Sequence, residues 1–102
     1  MTRKSKLSQE CWNIDYSFIK WLNKHLKVYK KEAKIDLNYH KFTFKNKEYT
    51  QLELIDKMID LSNYLIKEYY GAEEELYDKS DELLDIFKTT FYSLWWWYDW
   101  HK

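Results

Sequence analysis

The chain carries no proline and a single glycine, Gly71, among its 102 residues. A backbone with so few breakers has little means of interrupting a helix or building a glycine-dependent loop. Lys, Glu, Leu, Ile and Tyr are abundant, so the sequence reads as mostly helical, and its length suits one compact domain. The fold class expected is all-α, a three-helix bundle with a short β-hairpin between the first two helices. Residues 1–102 form one helical domain.

Ser8 can cap a first helix over about residues 9–34. Its apolar residues, from Trp12 and Ile14 through Trp21 and Leu22 to Val28 and Tyr29, sweep over half the circumference. Only a narrow ridge including Lys20, Lys24, Lys27 and Lys31 is plainly polar. A surface helix ordinarily shows an apolar stripe of about 100°. The first helix is therefore expected to be the centre of the bundle, an oligomer contact, or both. Residues 40–49 alternate apolar and polar around Lys45-Asn46-Lys47, the pattern of a hairpin that must lean on the helices.

Thr50-Gln51-Leu52-Glu53 is a capping box and opens a second helix over about residues 51–70. Gly71 is expected to stop that helix in a left-handed conformation. Glu73, Glu74 and Glu75 suit the positive end of a third helix over about residues 73–98. That helix should bury Leu76, Leu83, Leu84, Phe87, Phe91, Leu94, Trp95 and Tyr98.

The last nine residues, Leu94 to Lys102, hold four of the six tryptophans. Successive helical residues turn by about 100°, so a single core-facing stripe cannot hide them all. Trp96 and Trp100 fall on the far side of the third helix, with Trp97 beside Ile86 on a flank. Trp96, Trp97, Trp100 and Ile86 are thus the expected interface. It would serve self-association, a heterologous protein target, or stacking on a ligand or lipid headgroups.

Net charge is zero, yet residues 1–50 hold twelve Lys/Arg against five Asp/Glu, a balance of +7, and residues 51–102 hold the reverse, −7. Either a basic helix lies beside an acidic one, or a basic face is left for an anionic ligand. The basic half argues against a DNA mimic, and no nucleic-acid partner is expected. No apolar run approaches 18 residues, so neither a membrane span nor a secretory signal is expected. The lone Cys11 has no intramolecular partner, which fits a reducing cytoplasm.

Chemistry is sparse. His25, His40 and His101 lie far apart without ligand spacing, and Cys11 sits in no nucleophile motif. No phosphate loop can be made from one glycine. The expectation is a protein without cofactor or catalysis. Asp15 stands out: on a continuous first helix it falls inside the apolar arc, too deep to cap an N-terminus. A buried carboxylate needs donors or a cation. It could be satisfied by a Tyr hydroxyl, an indole N–H or a lysine from another helix, or it could face a ligand. Trp12, Asn13, Asp15, Tyr16, Lys20, Lys24 and Lys27 make up the candidate ligand-binding set. Aromatic faces, charge and an acceptor together suit a nucleobase and its phosphates.

The run Cys11-Trp12-Asn13-Ile14-Asp15-Tyr16, followed by Lys20, Leu26 and Lys27, resembles the W-N-[LI]-D-Y…K…L-K opening of a family of small tailed-bacteriophage proteins. Glu53 to Ile59 is similar to that family's E-I-L-D-K-M-I segment, and Leu84-Asp85-Ile86-Phe87 with Leu94-Trp95 to its L-D-L-F…L-W close. The likeness spans roughly residues 11–95. The family's His/Tyr-Pro loop is represented here by Tyr39-His40 without the proline. The resemblance implies an accessory protein made by a phage in the bacterial cytoplasm, countering host defence by stoichiometric binding. The leading mode is a homo-oligomer that sequesters a nucleotide-like immune signal, and the alternative is a direct, anti-CRISPR-like inhibitor of a host defence protein. A helical bundle with a purely structural or regulatory role is the third reading.

Overall fold

A computed structural model describes residues 6–71 and 73–94. Three main helices and a two-stranded antiparallel sheet make up the fold. A short helix α1 (Lys6–Glu10) and a 3-10 turn (Cys11–Asn13) lead into α2 (Ile14–Glu32). The hairpin strands β1 (Lys41–Phe44) and β2 (Lys47–Thr50) follow, then α3 (Gln51–Lys67) and α4 (Glu73–Thr90). A 3-10 turn over Phe91–Ser93 closes the described chain.

The centre is α3 rather than the first long helix. It packs against both α2 and α4, and Leu54, Ile55 and Met58 lose all solvent contact. From α2, Ile19, Leu22, Leu26 and Tyr29 meet it, and from α4, Leu83 and Ile86. The helices alternate in direction. Asp15 reaches Tyr69 and Lys30 reaches Asp56 across the α2–α3 seam, so α2 and α3 are antiparallel. Gln51 meets Ser93 and Lys79 meets Tyr64 across the α3–α4 seam, so these two are antiparallel as well. Helices α2 and α4 therefore run parallel on either side of α3.

One polar knot sits in the α2–α3 seam. Asn23, buried, donates its amide to Ser62 Oγ at 2.8 Å and Asn63 Oδ1 at 2.9 Å, with a longer contact to the Ile59 carbonyl. A satisfied buried amide fixes the sliding register of two helices whose apolar side chains alone would tolerate slippage.

The hairpin forms where the alternation places it, with Phe42 opposite Tyr49 and Phe44 opposite Lys47. Its two-residue turn, Lys45-Asn46, has φ of 50° and 64°. Two successive positive φ values match the twist of the flanking strands, and asparagine tolerates them far better than lysine. Phe44 is buried, and the strands lean on α3 and α4. The capping box is present in full: Thr50 Oγ1 accepts from the Glu53 N–H and the Glu53 carboxylate from the Thr50 N–H.

Several boundaries differ from the sequence reading. Ser8 lies inside α1, and the continuous first helix is broken at Asn13, whose φ of −142° and ψ of 82° are not helical. The Ser17 hydroxyl takes the Glu10 carbonyl, satisfying an acceptor the break exposes. Gly71 is not left-handed. Its N–H instead closes a tight turn onto the Glu68 carbonyl at 2.7 Å, and a β-carbon there would sit 3.0 Å from that oxygen. Close approach, not handedness, is the reason for glycine here. The last α-helix stops at Thr90, whose φ of −100° and ψ of 2° lead into the 3-10 turn, and the Ser93 carbonyl beyond it accepts from Gln51 Nε2 at 2.6 Å and the Tyr29 hydroxyl at 3.2 Å.

Replacing Lys45-Asn46 by Asn-Gly should raise unfolding free energy by up to about 1 kcal/mol, the strain relieved at two positive-φ positions. Urea denaturation of the double variant checks this, and an unchanged midpoint would mean the turn is not strained.

Candidate functional site

The break at Asn13 relocates Asp15. It lies in the first turn of α2, exposed, with Oδ1 accepting the Tyr16 N–H at 2.7 Å. Asp15 is thus a helix-start carboxylate, not a buried one. Backbone N–H groups and the positive helix end favour an anion at that position. Of the sequence's alternatives for satisfying it, a tyrosine hydroxyl is the one seen: Tyr69, just past the end of α3, donates to both carboxylate oxygens, at 3.2 and 3.3 Å.

Tyr69 also packs its ring 4.5 Å from that of Tyr16, tilted by 51°. Lys20 Nζ lies 5.1 Å from the centre of the Tyr16 ring. Burial raises the Tyr69 pKa above the ordinary phenol range, and the Asp15 charge and hydrogen bond raise it further. The fold therefore gathers Asp15, Tyr16 and Lys20 around Tyr69. Lys24 and Lys27 continue along the same exposed ridge, about 6 and 10 Å further along the axis. Trp12, on the 3-10 turn, is 65% exposed, and Asn13 is exposed at the break. Tyr16 is thus already flanked by a ring and an ammonium. Tyr69 was absent from the expected set, although the antiparallel pairing of α2 and α3 brings the end of one to the start of the other.

The interface expected at the carboxyl end is revised in one part. Ile86 is fully buried in the core, because the inner face of α4 runs through Leu83, Ile86 and Thr90. The same phase leaves Leu84 and Phe91 outside, against expectation. Trp96, Trp97 and Trp100, like Trp95 and Tyr98, lie outside the described residues.

A second apolar surface emerges that the wheel of a continuous helix obscured. Ile14, Phe18, Trp21, His25 and Val28 follow one another at alternating steps of four and three along α2, beside the stripe that packs on α3. Trp21 is 52% exposed and Val28 48%. On α4, Tyr77, Ser80, Leu84 and Phe87 repeat the same spacing, continued by Phe91 at the start of the 3-10 turn, with Leu84 48% and Phe91 52% exposed. The two rows meet where Phe18 packs edge-on against Phe87, ring centres 5.8 Å apart. Between them runs a groove of about 460 Å³, walled by Trp21, His25 and Val28 on one side and Phe87, Phe91 and Leu94 on the other. Alternating steps of three and four are the repeat by which one helix packs on another. In an ordinary bundle such rows are covered. The signal was legible in the sequence as two interleaved heptad rows on one helix.

Among the described residues no group of three His, Cys, Asp or Glu is placed to hold a metal ion. Nor is any described helix long and apolar enough to cross a membrane. In comparisons with known proteins, the chain matches no family model, no curated protein and no solved structure.

Alkaline titration of tyrosine absorbance should show two phenols ionising above the ordinary range, Tyr64 beside Glu75 and, bound to Asp15, Tyr69. Asp15→Asn should bring Tyr69 part of the way back, leaving the contribution of burial. Because the folded-state value is raised, the neutral hydroxyl stabilises the fold below the ordinary tyrosine range, and that contribution is lost as pH climbs through the folded value. A titration unaffected by Asp15→Asn would show that the contact does not persist in solution.

Proposed function

We propose that this chain is a non-enzymatic accessory protein of the tailed-phage kind, countering bacterial defence from the host cytoplasm by stoichiometric binding of a protein through the α2–α4 face. The observation that carries this reading is the groove between α2 and α4. Exposed apolar rows with helix-packing periodicity on both walls match the anatomy of a surface that receives an amphipathic helix. Trp21 and Phe91 are its natural anchors, since large rings at the centre of an apolar patch carry most of an interface's energy.

Direct inhibition of a defence protein is favoured over nucleotide capture on the α2 ridge. A base stacking on Tyr16 would have to displace Lys20 or Tyr69 from the ring, and the ridge itself is convex helix surface. Self-association belongs to the same reading. A second copy and a target helix would compete for one groove, so the oligomer would be the storage form and the target complex the working form.

Trp21→Ala should weaken capture of the target by about 30-fold, the scale of a hot-spot tryptophan worth about 2 kcal/mol. Trp21→Glu combined with Phe91→Glu should abolish both capture and self-association while the helical circular dichroism stays that of the wild type. Co-purification from phage-infected cells and light scattering on the pure protein are the measurements. Undiminished binding of the same defence protein by the folded double variant would remove this face from the reading.

A further inference from the structure

The groove between α2 and α4 has rims as well as walls, and the rims carry charge in a fixed order. On α2 the positions flanking the exposed apolar row are Ser17, Lys24 and Lys31, seven residues apart, with Lys24 between Trp21 and Val28. On α4 the corresponding positions are Glu74, Asp81 and Lys88. Asp81 stands between Tyr77 and Leu84, and Lys88 between Leu84 and Phe91. In a helix-packing repeat, flanking positions of this kind lie beside an incoming helix and select its charges.

The Phe18–Phe87 contact fixes the level of one rim against the other. Helices α2 and α4 run parallel, so heights follow from that level at about 1.5 Å per residue. Glu74 and Asp81 lie about 20 and 9 Å toward the amino-terminal ends. Lys88, Lys24 and Lys31 lie about 2, 9 and 20 Å toward the carboxyl-terminal ends. Along the groove the rim thus passes from acid, through Ser17, to base. Glu10 lines the hollow beside Ile14, Phe18 and Trp21 and adds to the acidic end. At the opposite end Glu32 offsets its neighbour Lys31, so Asp81 on one side and Lys88 with Lys24 on the other decide the gradient. All these charged side chains are exposed, and the ion pairs Lys30–Asp56 and Lys41–Glu48 lie elsewhere.

We propose that the occupant of the groove is an amphipathic helix running antiparallel to α2 and α4, with carboxylates along its amino-terminal half and lysines or arginines along its carboxyl-terminal half. This rests on the α2–α4 face being a helix receptor, and adds the partner's direction and charge order. An antiparallel helix starts beside Lys24 and Lys88 and ends beside Asp81 and Glu74, so each half meets the opposite charge. Acid early and base late is also the order that a helix dipole favours by itself. A parallel occupant would need the reverse order, against its own dipole. The antiparallel direction continues the alternation of α2, α3 and α4. Exposed rim charges supply direction and selectivity, while the apolar rows supply affinity.

Two synthetic peptides of about 21 residues, about 31 Å long as helices, test this. Both have leucine at the a and d heptad positions and the same composition. One carries Glu on its flanks in the first half and Lys in the second, and the other has the halves exchanged. Fluorescence anisotropy with the full chain at low salt should show the acid-first peptide binding about tenfold tighter, the sum of a few exposed pairs. Raising the salt to about 1 M should close the gap. The variant Lys24→Glu, Asp81→Lys, Lys88→Glu should invert the preference, which separates the rim from any difference in the peptides' own helicity. Equal wild-type affinities, a preference for the exchanged peptide, or a variant that keeps the wild-type order overturns the proposal while the face still receives a helix. If neither peptide binds, or if Trp21→Glu with Phe91→Glu leaves both affinities unchanged, the face is no helix receptor and both readings fall. A dimer in light scattering that excess acid-first peptide fails to dissociate gives the groove to a second copy, and overturns the proposal as well.

Discussion

Three backbone N–H groups at the start of α3 have to find acceptors, and the structure is arranged around how they do. Thr50 Oγ1 takes one, and the Leu37 and His40 carbonyls take the other two. Unsatisfied donors at a helix start that is packed into a core cost on the order of 1–3 kcal/mol each. Satisfying them ties three things together: the loop after α2, the hairpin whose last residue is the cap, and the central helix. Gln51, the first residue of α3, extends the tie to the far end of the chain through the Ser93 carbonyl.

Around that junction α3 does most of the burying, with a neighbour on each side. Its two partners are left half-covered. Each has one row of apolar side chains satisfied by α3 and a second row, one step round the helix, that is not. The radius of gyration, 15.9 Å, exceeds the roughly 13 Å of a compact domain this size. Three helices with one in the middle make an open arrangement, and the groove between the outer two is where a fourth would lie.

Legibility in the sequence tracked how local the deciding physics was. The capping box Thr50–Glu53, the hairpin alternation over 41–50 and the three-helix class all rest on neighbours within a few residues, and all are present. Misplaced features were decided at longer range. The break at Asn13 has no proline or glycine to announce it, and it moved Asp15 from a helix interior to a helix start. The Ser93 carbonyl beyond α4 is held by Gln51 and Tyr29, contacts 42 and 64 residues apart in sequence. Helical phase was also set by packing, putting Ile86 inside and Leu84 outside. Of the ligand set, Asp15, Tyr16 and Lys20 do converge, but on Tyr69, which only the antiparallel pairing of α2 and α3 brings near.

The alternation of directions along α2, α3 and α4 bears on how the chain comes to be folded at all. Each major contact surface joins elements that are consecutive or nearly so, the topology associated with rapid acquisition of structure. During synthesis α2 and the hairpin can engage α3 before α4 has left the ribosome. The Ser93 carbonyl, reached last, would then act as a latch that seals an already assembled frame. So short a search lets the chain reach its final shape with few wrong turns.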